Sequence, residues 1–123
     1  MQVAKCALLA ITLSTIGFSS VVSSEQRQLD NSVLSFARSN CLFWYFKSQG
    51  YDTTDIRKIS SGIVEMSTYS ADKYQDLAML VKEYSPEIST KQNLDLQLGK
   101  CFVLDVDKSF LDSANKIFAK DER

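Results

Sequence analysis

Apolar residues along this chain recur mainly at spacings of three and four, the repeat of a helix with one buried face. The first such stretch covers residues 26–48, where Leu29, Val33, Phe36, Ala37, Cys41 and Trp44 form a single stripe. Its end, Cys-Leu-Phe-Trp-Tyr-Phe over residues 41–46, is apolar on every side. A helix of that kind needs cover all round. Two readings of the cover stand side by side: a central core helix, or a helix end that meets a second subunit, with Trp44 and Phe46 in the contact. Gly50 supplies a C-terminal stop. A second helix starts after Asp52 or Thr53, either of which can cap it. Its apolar face carries Ile56, Ile59, Ile63 and Met66. Gly62 within it costs about 1 kcal/mol relative to Ala, which a close helix–helix approach would explain.

Ser70 reads as the cap of a third helix, with Tyr69 and Tyr74 spaced as a hydrophobic staple. Tyr74, Leu77, Ala78, Val81 and Tyr84 line its inner side. Ser85 precedes Pro86, a pairing that disfavours helical backbone, so the helix should stop near Tyr84 or Ser85. A polar segment follows: Ser85, Pro86, Glu87, Ile88, Ser89, Thr90 and Lys91. Ser89 with Gln92 forms a possible capping box for a fourth helix, whose inner face is Leu94, Leu98, Cys101, Phe102 and Leu104. Residues 105–109 interrupt it. Asp107 then caps a last helix carrying Phe110, Leu111, Ala114, Ile117 and Phe118. No segment shows sustained β-branched alternation, and the short Leu-Asp-Leu-Gln-Leu run at 94–98 is read as helical from its flanks. The expectation is an all-α compact bundle of about four to five helices.

The N-terminus has a different organisation. Lys5 precedes an apolar run from Cys6 to Phe18, and small residues follow, with Val22 and Ser24 at the −3 and −1 positions of a cut before Glu25. This is the order of a secretory signal peptide over residues 1–24, leaving one domain at 25–123. The run is too short for a transmembrane helix, which needs about 20 apolar residues. A retained anchor or a buried N-terminal helix are the alternatives. Cys6 does not look like a lipid-attachment cysteine, so no stable membrane anchor is expected.

Removal of the leader takes Cys6 with it and leaves Cys41 and Cys101 of the three cysteines. An even count in an exported chain reads as a disulfide. Closing a loop of about 60 residues would contribute roughly 4 kcal/mol in the chain-entropy picture. A reactive thiol pair is the alternative, but there is no C-x-x-C.

Composition narrows the function. Hydrophobic residues make up 45% of the chain, ordinary for a globular protein. The formal net charge is −1, and losing Lys5 makes it more negative. A nucleic-acid binder would carry a basic patch. There is no histidine, which removes His-based general bases, Ser-His and Cys-His nucleophile pairs and most zinc sites. Asp105 and Asp107 suggest calcium only briefly. An EF-hand loop counted from Asp105 needs Gly where Phe110 stands and Glu where Lys116 stands. Neither a phosphate-cradling glycine loop nor a nucleophile elbow is present. Phe43, Trp44, Tyr45 and Phe46 could line a ligand pocket, although core or subunit interface suits them better. No catalytic residue, metal or cofactor is expected, and the composition suits a binding module.

Three places carry a family likeness. Cys41 lies in an aromatic-rich first helix. Gly62, Ile63, Val64, Glu65, Met66 and Tyr69 make the second pattern. Lys100, Cys101, Phe102, Leu104, Asp107, Lys108 and Phe110 make the third. In these the chain resembles the immunity proteins paired with type VI secretion amidases, most closely the family-four amidase immunity proteins and their resistance-associated relatives. It departs from them at Asp105, where the family usually has Tyr, and at Met66, where it often has Trp. The resemblance implies a periplasmic α-helical protein, often a homodimer, that is not an enzyme. It would bind and block a papain-like peptidoglycan amidase delivered by neighbouring cells. In that family a loop before the penultimate helix enters the enzyme's active-site cleft, and the matching segment here is Ser85, Pro86, Glu87, Ile88, Ser89, Thr90 and Lys91. A periplasmic chaperone or adaptor and an inhibitor of a lysozyme-type hydrolase are the other classes.

Overall fold

The computed structural model describes residues 29–119 and, before them, Gly17 alone. Apart from Gly17, the leader expected over residues 1–24 lies outside the described residues. The described chain is all-helical: α1 (Asn31–Ser48), α2 (Thr54–Met66), α3 (Ala71–Glu83), α4 (Leu96–Val103) and α5 (Lys108–Ala119). They form a compact bundle around α1, which packs against α2, α3 and α4, while α5 closes on α3.

Helix α1 begins at Asn31, later than the 26 expected from periodicity. Leu29 and Asp30 are outside the helix because the Asp30 carboxylate accepts from the Ser32 N–H and hydroxyl, a side-chain cap. At the other end Gly50 has φ +76°. The Gly50 N–H donates to Lys47 O and the Tyr51 N–H to Phe46 O. This pair of bonds is a Schellman ending, which requires the left-handed conformation glycine adopts without strain.

The core is Val33, Phe36, Ala37 and Cys41 from α1, Tyr74, Leu77 and Val81 from α3, Cys101 and Leu104 around α4, and Phe110, Ala114 and Phe118 from α5. Tyr69 and Tyr74, expected to staple the start of α3, both set their rings edge-on to Phe118, at 4.9 and 5.4 Å. Ser70 occupies the cap position of α3 but makes no side-chain cap bond. Lys73 is buried, yet its ammonium donates to Phe118 O at 3.0 Å near the C-terminus of α5. There it complements the negative end of the helix dipole. Cys41 and Cys101 are joined by a disulfide with a Cα–Cα distance of 5.5 Å, bolting α4 to α1.

Three expectations about the helix faces need correction. Helix α2 buries no residue completely. Ile59 and Met66, assigned to its inner face, are exposed, Met66 at 90%. This helix packs on one neighbour, α1, so only a narrow strip through Ile63 and Val64 is covered. Gly62 marks no close helix approach, since a Cβ there would meet nothing within 4 Å. Leu94 lies outside α4, which begins only at Leu96, and is exposed; Phe102 within α4 is exposed rather than inward. The Asp95 carboxylate accepts from the Gln97 and Leu98 N–H groups and sets that start, in place of the Ser89–Gln92 box. The expected cap of α5 is as read: Asp107 Oδ1 accepts from the Ser109 and Phe110 N–H groups.

Candidate functional site

Late capping of α4 leaves residues 84–95 as one continuous non-helical loop. Its root is Tyr84. The ring packs on Phe110, 5.0 Å between centroids, and the hydroxyl donates to Asp107 Oδ2. The Tyr84 carbonyl accepts from Lys100 Nζ at 3.1 Å. One residue therefore ties the loop to α4 and α5 together. Burial, and then the neighbouring Asp107, push the Tyr84 hydroxyl well above its ordinary value. The same bond, aided by the Phe110 and Ser109 N–H groups, holds Asp107 below the usual carboxylate value. Burial lowers Lys100.

The far side of the loop rests on Gly99, which is buried. A Cβ built there would lie 3.0 Å from Leu94 Cδ2 and 3.3 Å from Ile88 Cδ1. Ile88 is thus half-buried over α4. Pro86 is also half-buried, while Ser85, Glu87, Ser89, Thr90 and Lys91 are exposed. Thr90 Oγ1 accepts from the Gln92 N–H, a local turn that fixes the return of the chain. The result is a polar arch with two apolar feet. It can present side chains and carbonyls to a partner with little ordering cost.

The aromatic end of α1 meets the start of α4 through Ser48 and the last turn of α3 through Lys82. Phe43, Trp44, Tyr45 and Phe46 are all half-buried. Trp44 Nε1 donates to Asn40 Oδ1 at 3.0 Å, and the Phe43 ring meets Trp44 edge-on. Phe46 packs between Tyr45 and Tyr51. Lys47 and Lys82 place their ammonium groups 5.3 and 4.8 Å from the Trp44 ring centroid. Ser48 donates to Gln97 Oε1, joining the end of α1 to the start of α4. The i, i+3 relation of Trp44 and Lys47 is visible in the sequence, whereas the arrival of Lys82 from α3 has no sequence signal. The Tyr84–Asp107 bond also escaped sequence reasoning, since it joins an apolar-face residue to a cap.

Outside this end, a shallow hollow on α2 is lined by Thr54, Arg57, Lys58, Ser61, Gly62 and Glu65. Among the described residues no group of three or more His, Cys, Asp or Glu side chains is placed to hold a metal ion. Nor is any described helix long and apolar enough to cross a membrane. No family model, curated protein or solved structure matches the chain.

Proposed function

We propose that this chain is a periplasmic immunity protein that binds and occludes the active-site cleft of a papain-like peptidoglycan amidase. The observation that carries the reading is the arch at residues 84–95. Tyr84 anchors one foot, Ile88 and Leu94 seat the other on Gly99, and Glu87, Ser89, Thr90 and Lys91 are left outward. A polar loop fastened on both sides can enter a cleft without losing much entropy. Occlusion requires no chemistry from the inhibitor, which agrees with a chain that has no histidine. The Cys41–Cys101 disulfide is compatible with an oxidising compartment.

Titration calorimetry against a papain-like peptidoglycan amidase tests the proposal. Glu87→Ala with Lys91→Ala should weaken binding at least tenfold, since anchor residues in such a loop are each worth 2 kcal/mol or more. Circular dichroism serves as the folding control. Unchanged affinity in the folded double variant would move the inhibitory surface off the loop, and no binding by the unaltered chain would reject the reading.

A second reading draws on Phe102 and Val106, exposed at 65% and 76%. Exposed apolar surface of this kind suits an adaptor or chaperone. Co-purification separates the two: one tightly held amidase supports immunity, and many clients support a chaperone.

A further inference from the structure

We infer that Trp44, Lys47 and Lys82 form a cationic platform that receives a carboxylate-bearing surface of the partner protein, beside the arch. The inference rests on the protein-binding reading above and adds the chemistry of the partner's surface. Lys47 lies in the last turn of α1 and Lys82 in that of α3, so each complements its own helix dipole. The dipole does not account for both ammonium groups lying over one indole, at 5.3 and 4.8 Å. Nor do acidic neighbours: among the described residues neither ammonium has a carboxylate within ion-pair distance. Acidic residues outnumber basic ones, 15 to 14, so two uncompensated cations on one ring are a local departure. Both lysines are exposed, and a carboxylate that reaches either ammonium makes a charge-assisted hydrogen bond with it.

Position and rigidity point to the same role. The Asn40 carboxamide fixes the indole through Trp44 Nε1, so the ring is presented in one orientation. Tryptophan held this way is the residue type that most often anchors a protein interface. Lys82 lies two residues before Tyr84, the root of the arch, and Ser48 joins the end of α1 to α4 where the arch returns. A partner seated on the arch therefore also reaches the platform. A second copy of this chain is a poor occupant, because two-fold pairing would set lysine pairs against lysine pairs.

Trp44 is the only tryptophan, so its fluorescence reports on this surface directly. Hexaglutamate added to the full chain at low salt should give a saturable change in Trp44 emission. The change should weaken at least tenfold in Lys47→Glu/Lys82→Glu, and hexalysine should give none. A Lys47→Gln/Lys82→Gln variant keeps most of each stem and should lose the response too, which guards against misfolding of the charge reversal. No saturable change, or an equal one in both variants, overturns the inference. So does tighter binding of a single-stranded oligonucleotide of equal charge, which would make the occupant a nucleic acid. The amidase supplies a second arm. If it binds the unaltered chain and Lys47→Gln/Lys82→Gln equally well, the platform fails and the immunity reading stands. If hexaglutamate binds and the amidase does not, the immunity reading fails and the platform stands as an acidic-surface receptor.

Discussion

The Tyr84 hydroxyl donates to the Asp107 carboxylate at 2.5 Å, so the residue that ends α3 holds the residue that starts α5. Tyr84→Phe removes that bond while keeping the ring on Phe110. The expected result is a lower urea midpoint, since one hydrogen bond to a carboxylate is removed. The arch should loosen as well, seen as faster amide exchange in residues 85–91. Unchanged stability and exchange would show that the ring alone anchors the loop.

The same pair sets a pH dependence. Asp107 is lowered mainly by Tyr84, and Asp52 by the Thr54 hydroxyl and N–H. A carboxyl lowered by folding adds stability that is complete above its unfolded value of 3.8 and is lost as pH falls through the folded value. Urea midpoints should therefore drop on acidification below about pH 4, and Asp107→Asn should make the drop shallower. Tyr84 is raised instead. Its contribution is complete below the ordinary value of 10.0 and declines as pH rises above it. Tyr84→Phe should remove that share of the alkaline decline.

The disulfide yields the largest predicted change. Cys41→Ala with Cys101→Ala should lower stability by about 2–4 kcal/mol. Alkylation of the chain without reductant, followed by intact-mass analysis, should leave Cys41 and Cys101 unlabelled.

Glycines separate a replaceable position from a constrained one. Gly62 faces open space, so Gly62→Ala should gain about 0.5–1 kcal/mol from helix propensity alone. Gly99→Ala has the same propensity gain but must displace Leu94 Cδ2 at 3.0 Å and Ile88 Cδ1 at 3.3 Å. It should gain less than Gly62→Ala and disturb the arch. Equal gains would mean that the seat on Gly99 is soft.

The sequence was most readable where one local rule acted alone. Asp107 caps α5, Gly50 ends the turn after α1, and two cysteines in a chain read as exported are paired. It misled where two local signals competed or where tertiary cover decided. Ser89–Gln92 and Asp95 both offered a start for α4, and only Asp95 makes the cap bonds. Periodicity in α2 announces an apolar face but not how much of it another helix covers, and Ile59, expected inward, is outside. The site suffers most from this. Lys82 reaches Trp44, and Tyr84 reaches Asp107, through the meeting of helices distant in sequence.

Helix α4 has α1 as its principal helical neighbour, and its firmest tie there is the Cys41–Cys101 bond. The arch rides on this short helix through Gly99 and Lys100. Reducing that bond would leave α4, and the arch that rides on it, held by packing and a few hydrogen bonds alone. The redox state of two cysteines therefore sets how firmly the arch is presented.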